Sequence, residues 1–538
     1  MMLRFIKRMI LLLICIGLIM FQSTPMVEAN LNKLNMAYIY FGNSNTYKGS
    51  IDKTKDSIQV ISPSYFNINE DGSLGVPSNI DISFIRDMRK RNIKVIPFLS
   101  NHWNRELGRL ALEKREALVD ELVRAVRQYE LDGVNVDIEN VTEVDRDAFT
   151  DLVKKLRERL PAEKVVSVAV AANPYGFSKG WHGSYDYAAL GKYSDYMIFM
   201  TYDEGHQGGP PAPVASSSFV EKSILHALES VPKEKIVLGI PFYGRYWKDG
   251  EDYGGYGINL NSIDQLMVKY RGRVSYDGLK QSPKAVITIG ELDQKPRYNG
   301  KELTPGTYTI WYENEASIKH KLRLVQKYNL KGTASWSLGQ EMEGTWDYFS
   351  LWLNGRYFLD ITNHWARIPI LDMEARGWMA GTSSTLFSPD VPLNRAQAAV
   401  TLVKAMGLEN KEAKASFFKD VTHSHWAKKE IDIIMEQGIM IGDEKGNFHP
   451  DSPVTREQMA AILDRMLPQL KSKSSNAIGF KDVKSNSWSY FAIMKAAEND
   501  LFMGYPDGTF RPRENINRAQ MAALLSRIIL KGHIVRIK

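Results

Sequence analysis

Thiols are nearly absent from this chain. Its 538 residues include one cysteine, Cys15, which excludes an internal disulfide and any site built from several thiolates. Histidine is sparse too. Only His423 and His425 stand close together among the ten, without acidic partners at ligand spacing, so neither a metal nor a cofactor is expected. One uncharged apolar run stands out, Met9 to Phe21, and its 13 residues fall short of the roughly 20 that span a bilayer. Neither sign of charge dominates. The net charge is +7 with 24% charged residues, and no basic helix or aromatic-basic motif points to nucleic acid.

Arg4, Lys7 and Arg8 precede that apolar run, and Val27, Glu28 and Ala29 follow it as a small-residue cleavage site. This order predicts a secretory signal peptide over residues 1–29, with a retained membrane anchor as the competing reading. Ile14 ahead of Cys15 does not suit a lipoprotein. Cleavage would remove the thiol and leave a net charge of +5, mild attraction for an anionic wall polymer.

With 44% hydrophobic residues, a chain of this length predicts two or more globular domains. From residue 30 to residue 357, apolar runs recur at 36–41, 58–66, 93–100, 133–140, 165–172, 196–203, 236–244 and 332–339. Amphipathic stretches such as Glu113 to Gln128 and Asp145 to Arg159 lie between them. That alternation predicts an α/β fold, an eight-stranded (β/α)8 TIM barrel. In such a barrel the active site lies at the carboxyl ends of the strands. Between Tyr246 and Trp311 the alternation lapses. A solvated loop competes there with a small α+β insertion walling one side of the cleft, for which Trp311 and Tyr312 are candidate lining residues.

The stretch LDGVNVDIEN, Leu131 to Asn140, carries the chemistry. As a strand it places Asn135, Asp137 and Glu139 on one face and Val134, Val136 and Ile138 on the other. Two carboxylates and an amide side by side in a barrel are costly unless hydrogen-bonded or used. Asp132, Gly133, Asn135, Asp137 and Glu139 resemble the DGxDxDxE signature of glycoside hydrolase family 18, with Asn135 where most members have Asp. The resemblance implies that Glu139 is the proton donor, and that Asp137 orients the substrate's 2-acetamido group. It further implies that Tyr202 hydrogen-bonds that group, that Asp203 and Tyr243 line the site with Asn135, and that Trp336 floors it.

After residue 357 a pattern recurs three times. Trp365, Trp426 and Trp488 each precede a glycine by 16 residues, namely Gly381, Gly442 and Gly504. Phe387, Phe448 and Phe510 then follow by 6 residues, and Arg395, Arg456 and Arg518 by 8 more. Each unit predicts a helix after the Trp, a turn, an extended segment from the Phe, and a second helix capped by Asn394, Thr455 or Asn517. These units resemble S-layer homology modules, over residues 358–414, 415–476 and 477–538. The resemblance implies a mainly helical three-fold bundle that docks on an anionic secondary cell-wall polymer through these Trp and Arg residues. The arginines either pair with ligand carboxylates or tie the repeats together.

The combined reading is a secreted, wall-anchored retaining glycosidase. It would cleave β-1,4 linkages of N-acetylglucosamine-containing polymers, peptidoglycan or chitin, by substrate-assisted catalysis at the envelope of a Gram-positive-type cell. The alternative is a non-catalytic carbohydrate-binding surface-layer protein whose barrel is a lectin or spacer. Loss of Glu139 would have favoured that alternative.

Overall fold

The computed structural model describes residues 33–530 apart from 79, 299, 414, 416 and 472–478, so the expected leader over 1–29 lies outside the described residues. The chain divides into two compact units between Gly355 and Arg356.

In the first unit eight parallel strands close on themselves. They are β1 (Leu34–Ile39), β2 in two pieces (Val60–Pro63 and Phe66–Ile68), β3 in two pieces (Lys94–Val95 and Phe98–Ser100), β4 (Gly133–Asp137), β5 (Val165–Ala171), β6 (Tyr196–Met200), β7 (Ile236–Pro241) and β8 (Gly332–Trp336). Each pairs with the next and β8 returns to β1, as an α/β barrel requires. The break in β3 falls at Ile96 and Pro97, and proline has no amide hydrogen to give a ladder. Gly133 opens β4 because a Cβ there would lie 2.0 Å from the Val165 carbonyl oxygen of β5. Inward residues Met36, Tyr38, Phe98, Ile198, Val237 and Ala334 fill the barrel. Burying each large apolar side chain contributes about 1.5–3 kcal/mol. The predicted helices appear as Arg115–Gln128 and Arg146–Arg159, burying Leu118, Leu122 and Val126, and Phe149, Val153 and Leu156, respectively.

The lapse before β8 is an α+β insertion, a five-stranded antiparallel sheet with the helix Leu260–Lys269. Its residues Ile258, Ala285, Ile287, Tyr308 and Ile310 are buried. Trp311 and Tyr312 are buried as well, at 6% and 4% exposure, so they pack the insertion instead of lining a cleft. The Lys280 and Lys284 ammonium groups lie 5.0 and 5.7 Å from the Trp311 ring centroid.

The second unit holds six α-helices among the described residues: α1 (Arg367–Ala375), α2 (Arg395–Ala405), α3 (Lys428–Glu436), α4 (Arg456–Met466), α5 (Tyr490–Glu498) and α6 (Arg518–Leu530). The first helix of each repeat packs on the second helix of its neighbour, α3 on α2, α5 on α4, and α1 on α6. The packing is therefore cyclic. At its centre the buried residues Leu393, Val454 and Ile516 exchange backbone hydrogen bonds in a closed ring: Leu393 N–H donates to Ile516, Ile516 to Val454 and Val454 to Leu393, each at 2.9 Å. Asn394 and Thr455 cap α2 and α4 as expected, each in a capping box with a Gln.

After each Phe, where an extended segment is expected, the chain turns. Ser388, His449 and Arg511 adopt left-handed φ angles of 56°, 57° and 59°. Asp360, Asp420 and Asp482 hold these turns, each carboxylate accepting two successive backbone N–H groups. The recurrent glycines are fixed by close approach: a Cβ on Gly381, Gly442 or Gly504 would stand 2.6, 2.4 or 2.3 Å from the ring of Phe358, Phe418 or Phe480.

Each recurrent arginine spends two of its donors on tying the repeats together, one of the two roles expected of it. Arg395 donates through Nε and Nη2 to the Phe448 and Ile441 carbonyls, both at 2.7 Å. Arg456 donates to Phe510 at 2.7 Å and Met503 at 2.9 Å, and Arg518 to Phe387 at 2.9 Å and to Ala380. Each arginine thus reaches the next repeat, the third reaching the first. Removing Arg456 orphans two carbonyls, so Arg456→Ala should destabilise this unit by about 2–4 kcal/mol. Arg456→Lys should rescue little, since an ammonium cannot fork. Thermal or urea denaturation of the full chain measures both.

Candidate active site

A cavity of about 1110 Å³ opens at the carboxyl ends of the barrel strands. Asp137 and Glu139 enter it from β4, Tyr202 and Asp203 follow β6, Tyr243 follows β7, and Trp336 ends β8. The insertion adds Arg245, Ile258 and Asn259 to one wall. Tyr40, Trp103, Tyr175 and Trp181 supply further aromatic surface from the other strand-end loops.

The two carboxyl groups share a largely desolvated environment at the cavity floor. Burial pushes the Asp137 carboxyl up to about 7. Glu139 is held well above the ordinary carboxyl range, first by burial and then by the negative charges of Asp137 and Asp203. Among the described residues, no hydrogen-bond donor reaches the buried Asp137 Oδ1. Tyr202 also stays protonated, its phenol raised by burial and by both carboxylates, and so remains a donor.

Asn135 lies elsewhere. It is wholly buried and does not line the cavity, which corrects its reading as a substrate contact. Its Oδ1 accepts from the Tyr38 hydroxyl at 3.0 Å, and its Nδ2 donates to Ser167 Oγ at 2.9 Å. An amide suits this place because it both accepts and donates across the barrel interior. Trp336 packs on Tyr38 with centroids 5.2 Å apart and on Tyr40 at 5.6 Å, an aromatic floor beside the carboxyls.

Asp203 faces the carboxyls from across the cavity at a left-handed φ of 64°. Its Oδ1 accepts from the Tyr243 hydroxyl at 2.6 Å and from Arg245 Nε and Nη2 at 2.9 and 2.7 Å. Arg245 was not singled out from sequence, although the motif that contains Tyr243 continues directly into it. Three further positioning groups escape sequence reading because their partners are distant in the chain. Asn101 grips the backbone of Glu139 on both sides, accepting its N–H at 2.8 Å and donating to its carbonyl at 2.8 Å. Tyr185 donates to the Ile138 carbonyl at 3.2 Å and accepts from Trp181 Nε1 at 2.9 Å. Asn140 donates to the Trp103 carbonyl at 2.9 Å, and Arg105 donates to the Asn140 carbonyl and side-chain oxygen.

A carboxyl with a raised pKa beside a second carboxyl, in an aromatic-lined cleft at the mouth of a barrel, is the arrangement that acid-assisted cleavage of a glycosidic bond needs, and it fits a glycosidase. The sequence profile of the glycosyl hydrolases family 18 matches residues 36–341, and the chain belongs to that family. The S-layer homology domain matches residues 357–399, 417–460 and 479–522, which indicates attachment to a cell surface. Among the described residues, no helix is long and apolar enough to cross a membrane.

The cortical fragment-lytic enzyme of Bacillus subtilis is 27% identical over 288 residues, covering 52% of this chain and 64% of that protein, so this chain spans less than two thirds of that relative's length. The crystal structure of a chitinase from Chromobacterium violaceum superposes with a TM-score of 0.52 at 26% identity, covering 60% of this chain and 98% of that one. The repeats are similar to the cellulosome-anchoring protein of Acetivibrio thermocellus, 34% identical over 161 residues, 29% of this chain and 36% of that protein.

Two outcomes follow from the electrostatics. In the unfolded chain Glu139 ionises near ~4.3. Between that value and its raised folded value, the folded protein holds a proton that the unfolded chain has released, so this group costs stability as pH rises. Glu139→Gln should therefore raise the melting temperature at pH 7–8, and the gain should vanish towards pH 4, as melts across that range will show. Asn135→Asp should place a third carboxyl beneath Asp137 and raise its neighbours further. The alkaline limb of the kcat/KM profile should then move to higher pH, whereas an unmoved profile would show that position 135 is electrically uncoupled from the site.

Proposed function

We propose that the chain is a secreted, wall-anchored retaining hydrolase of β-1,4 linkages next to N-acetylglucosamine, working by substrate-assisted catalysis. The observation that carries this reading is the pair Asp137 and Glu139. Burial and neighbouring negative charge push the Glu139 carboxyl towards its protonated form, and the buried Asp137 Oδ1 has no hydrogen-bond donor among the described residues.

Glu139 gives its proton to the glycosidic oxygen, and the bond from C1 to that oxygen breaks. The carbonyl oxygen of the substrate's own N-acetyl group closes on C1 from the opposite face, forming an oxazolinium ring. Asp137 accepts the acetamido N–H at Oδ1 and offsets the positive charge of that ring. Tyr202 donates to the acetamido oxygen and aligns it. Trp336 supports the apolar face of the sugar. Glu139, now a carboxylate, takes a proton from water as its oxygen attacks C1, and configuration is retained after two inversions. Asp203, tied to Tyr243 and Arg245, lines the far wall and adds to the field that keeps Glu139 protonated.

Similarity to a cortical fragment-lytic enzyme supports peptidoglycan over chitin, and the S-layer homology repeats support a wall address. Digestion of purified peptidoglycan and chitin oligomers side by side, with mass analysis of new reducing ends, tests the substrate. New N-acetylglucosamine reducing ends are expected from peptidoglycan, and Glu139→Gln should abolish them. Asp137→Asn should cost on the order of 10² to 10³ in turnover, the range for losing one electrostatic contact. Residues 30–357 should turn over small substrates without staying on walls. Near-normal activity of Glu139→Gln, or wall retention without residues 358–538, would overturn the respective half of the reading.

A further inference from the structure

The barrel is concave at both ends. Opposite the active site, at the amino ends of the strands, lies a depression of about 390 Å³. Its floor is apolar, made by Val60, Ile96, Val165 and the ring of Tyr196 where β2, β3, β5 and β6 enter the barrel. Its rim is cationic. Lys94 opens β3, Lys164 stands one residue before β5 and Lys331 one residue before β8, so three separate strands bring a lysine to the same hollow. Among the described residues, no arginine lines it.

The amino face of an α/β barrel ordinarily serves stability, and these lysines serve it badly. Among the described residues, none of the three forms an ion pair with a carboxylate. Burial holds the Lys331 ammonium below the usual lysine range, and the charges of Lys235 and Lys94 push it down further, against the attraction of Asp195 and Glu234. The Tyr196 ring, with its centroid 5.6 Å from Lys331 Nζ, offsets part of that cost.

The acidic groups on the rim do not neutralise this set. Asp195 Oδ2 is held by Arg157 at 2.9 Å and by the Val166 N–H at 2.7 Å, and Glu163 is exposed to solvent. Lys164 gives one hydrogen bond to the Leu131 carbonyl at 2.7 Å and keeps two further donors. Asn92, on the same rim at a left-handed φ of 58°, makes no side-chain hydrogen bond among the described residues, so its amide is a fourth donor. Like charges gathered in a hollow raise the energy of the empty protein, and an anion seated among them relieves it.

Lysine ammoniums act as compact point charges and suit a tetrahedral phosphate, whereas a planar carboxylate is matched by the guanidinium fork that this rim lacks. The apolar floor gives room for more than the bare ion. We propose that the amino-face depression is a phosphate-ester site, in which Lys94, Lys164 and Lys331 hold the phosphate and the floor around Tyr196 carries its organic body. Small polyol or sugar phosphates and a phosphodiester-linked polymer share that chemistry. Either occupies the end of the barrel away from Asp137 and Glu139 and leaves the cleft open to its glycan.

The test uses the full chain, with inorganic phosphate, glycerol 3-phosphate and a short poly(glycerol phosphate) as probes in calorimetry and thermal melts. Glycerol 3-phosphate should bind and raise the melting temperature. Lys94→Gln and Lys331→Gln should each weaken that binding at least tenfold, whereas Lys233→Gln, beside Lys331 but outside the hollow, should stay within twofold. Without ligand, Lys331→Gln should melt no lower than wild type, and it should hydrolyse a small N-acetylglucosaminide at the wild-type rate, which a merely structural lysine would not allow. Polymer binding at least tenfold tighter than the small ester, lost in both lysine variants, assigns a polymer; equal binding of the two assigns a small ester. Inorganic phosphate binding as tightly as the ester would overturn the role of the floor. Failure of both esters to bind, lysine variants that bind as wild type does, or a lower melting temperature for Lys331→Gln would overturn the site.

Discussion

Two largely desolvated carboxyl groups at the floor of an open cleft dominate the catalytic unit. Burial penalises every charge placed on Asp137 and Glu139, and among the described residues neither is paired with a cation that would relieve it. A barrel mouth can bear this because the surrounding backbone is gripped from several strands at once: Asn101 holds Glu139, Tyr185 holds Ile138, and Arg105 holds Asn140. The stability surrendered at this site is what keeps a proton available near neutral pH. A fold that relieved the strain with a salt bridge would also hand the proton away.

Beneath the carboxyls, the barrel interior is stitched by polar contacts that look neutral. Tyr38, Asn135 and Ser167 form a chain across three strands, and the Asn135 amide is the only member that both donates and accepts within it. An amide at this position leaves Asp137 without a second carboxyl neighbour on the side away from Glu139. The field on Asp137 and Glu139 is then set by burial, by each other and by Asp203.

The barrel was legible in the sequence because strand runs and helix stripes alternate with two distinct periods, and the carboxylate ladder stood out against the apolar strand that carries it. What stayed hidden was whatever depends on a second segment. The partners of Asn101 and Tyr185 lie 38 and 47 residues away, and no local pattern reveals which loop reaches which carbonyl. Asn135 was placed on the correct face of its strand but at the wrong depth, since period-2 alternation gives direction without height along the barrel axis. The repeats show the same limit. Their registers were exact enough to fix helices and caps, yet the arginine forks, the Asp latches and the left-handed turns after each Phe all join residues from different parts of the chain.

The ring made by Leu393, Val454 and Ile516, reinforced by the three arginine forks, has no free end. A stack of repeats can lose or gain a member and cap whatever remains. A closed triangle cannot, because deleting one side leaves an unfilled arginine seat and an unpaired carbonyl on the two that survive. The closing fork joins Arg518 to Ala380, 138 residues earlier. A chain emerging from its amino end therefore carries a finished barrel well before the triangle of repeats can close. Any molecule cut short before Arg518 would carry the whole barrel beside a triangle that cannot close.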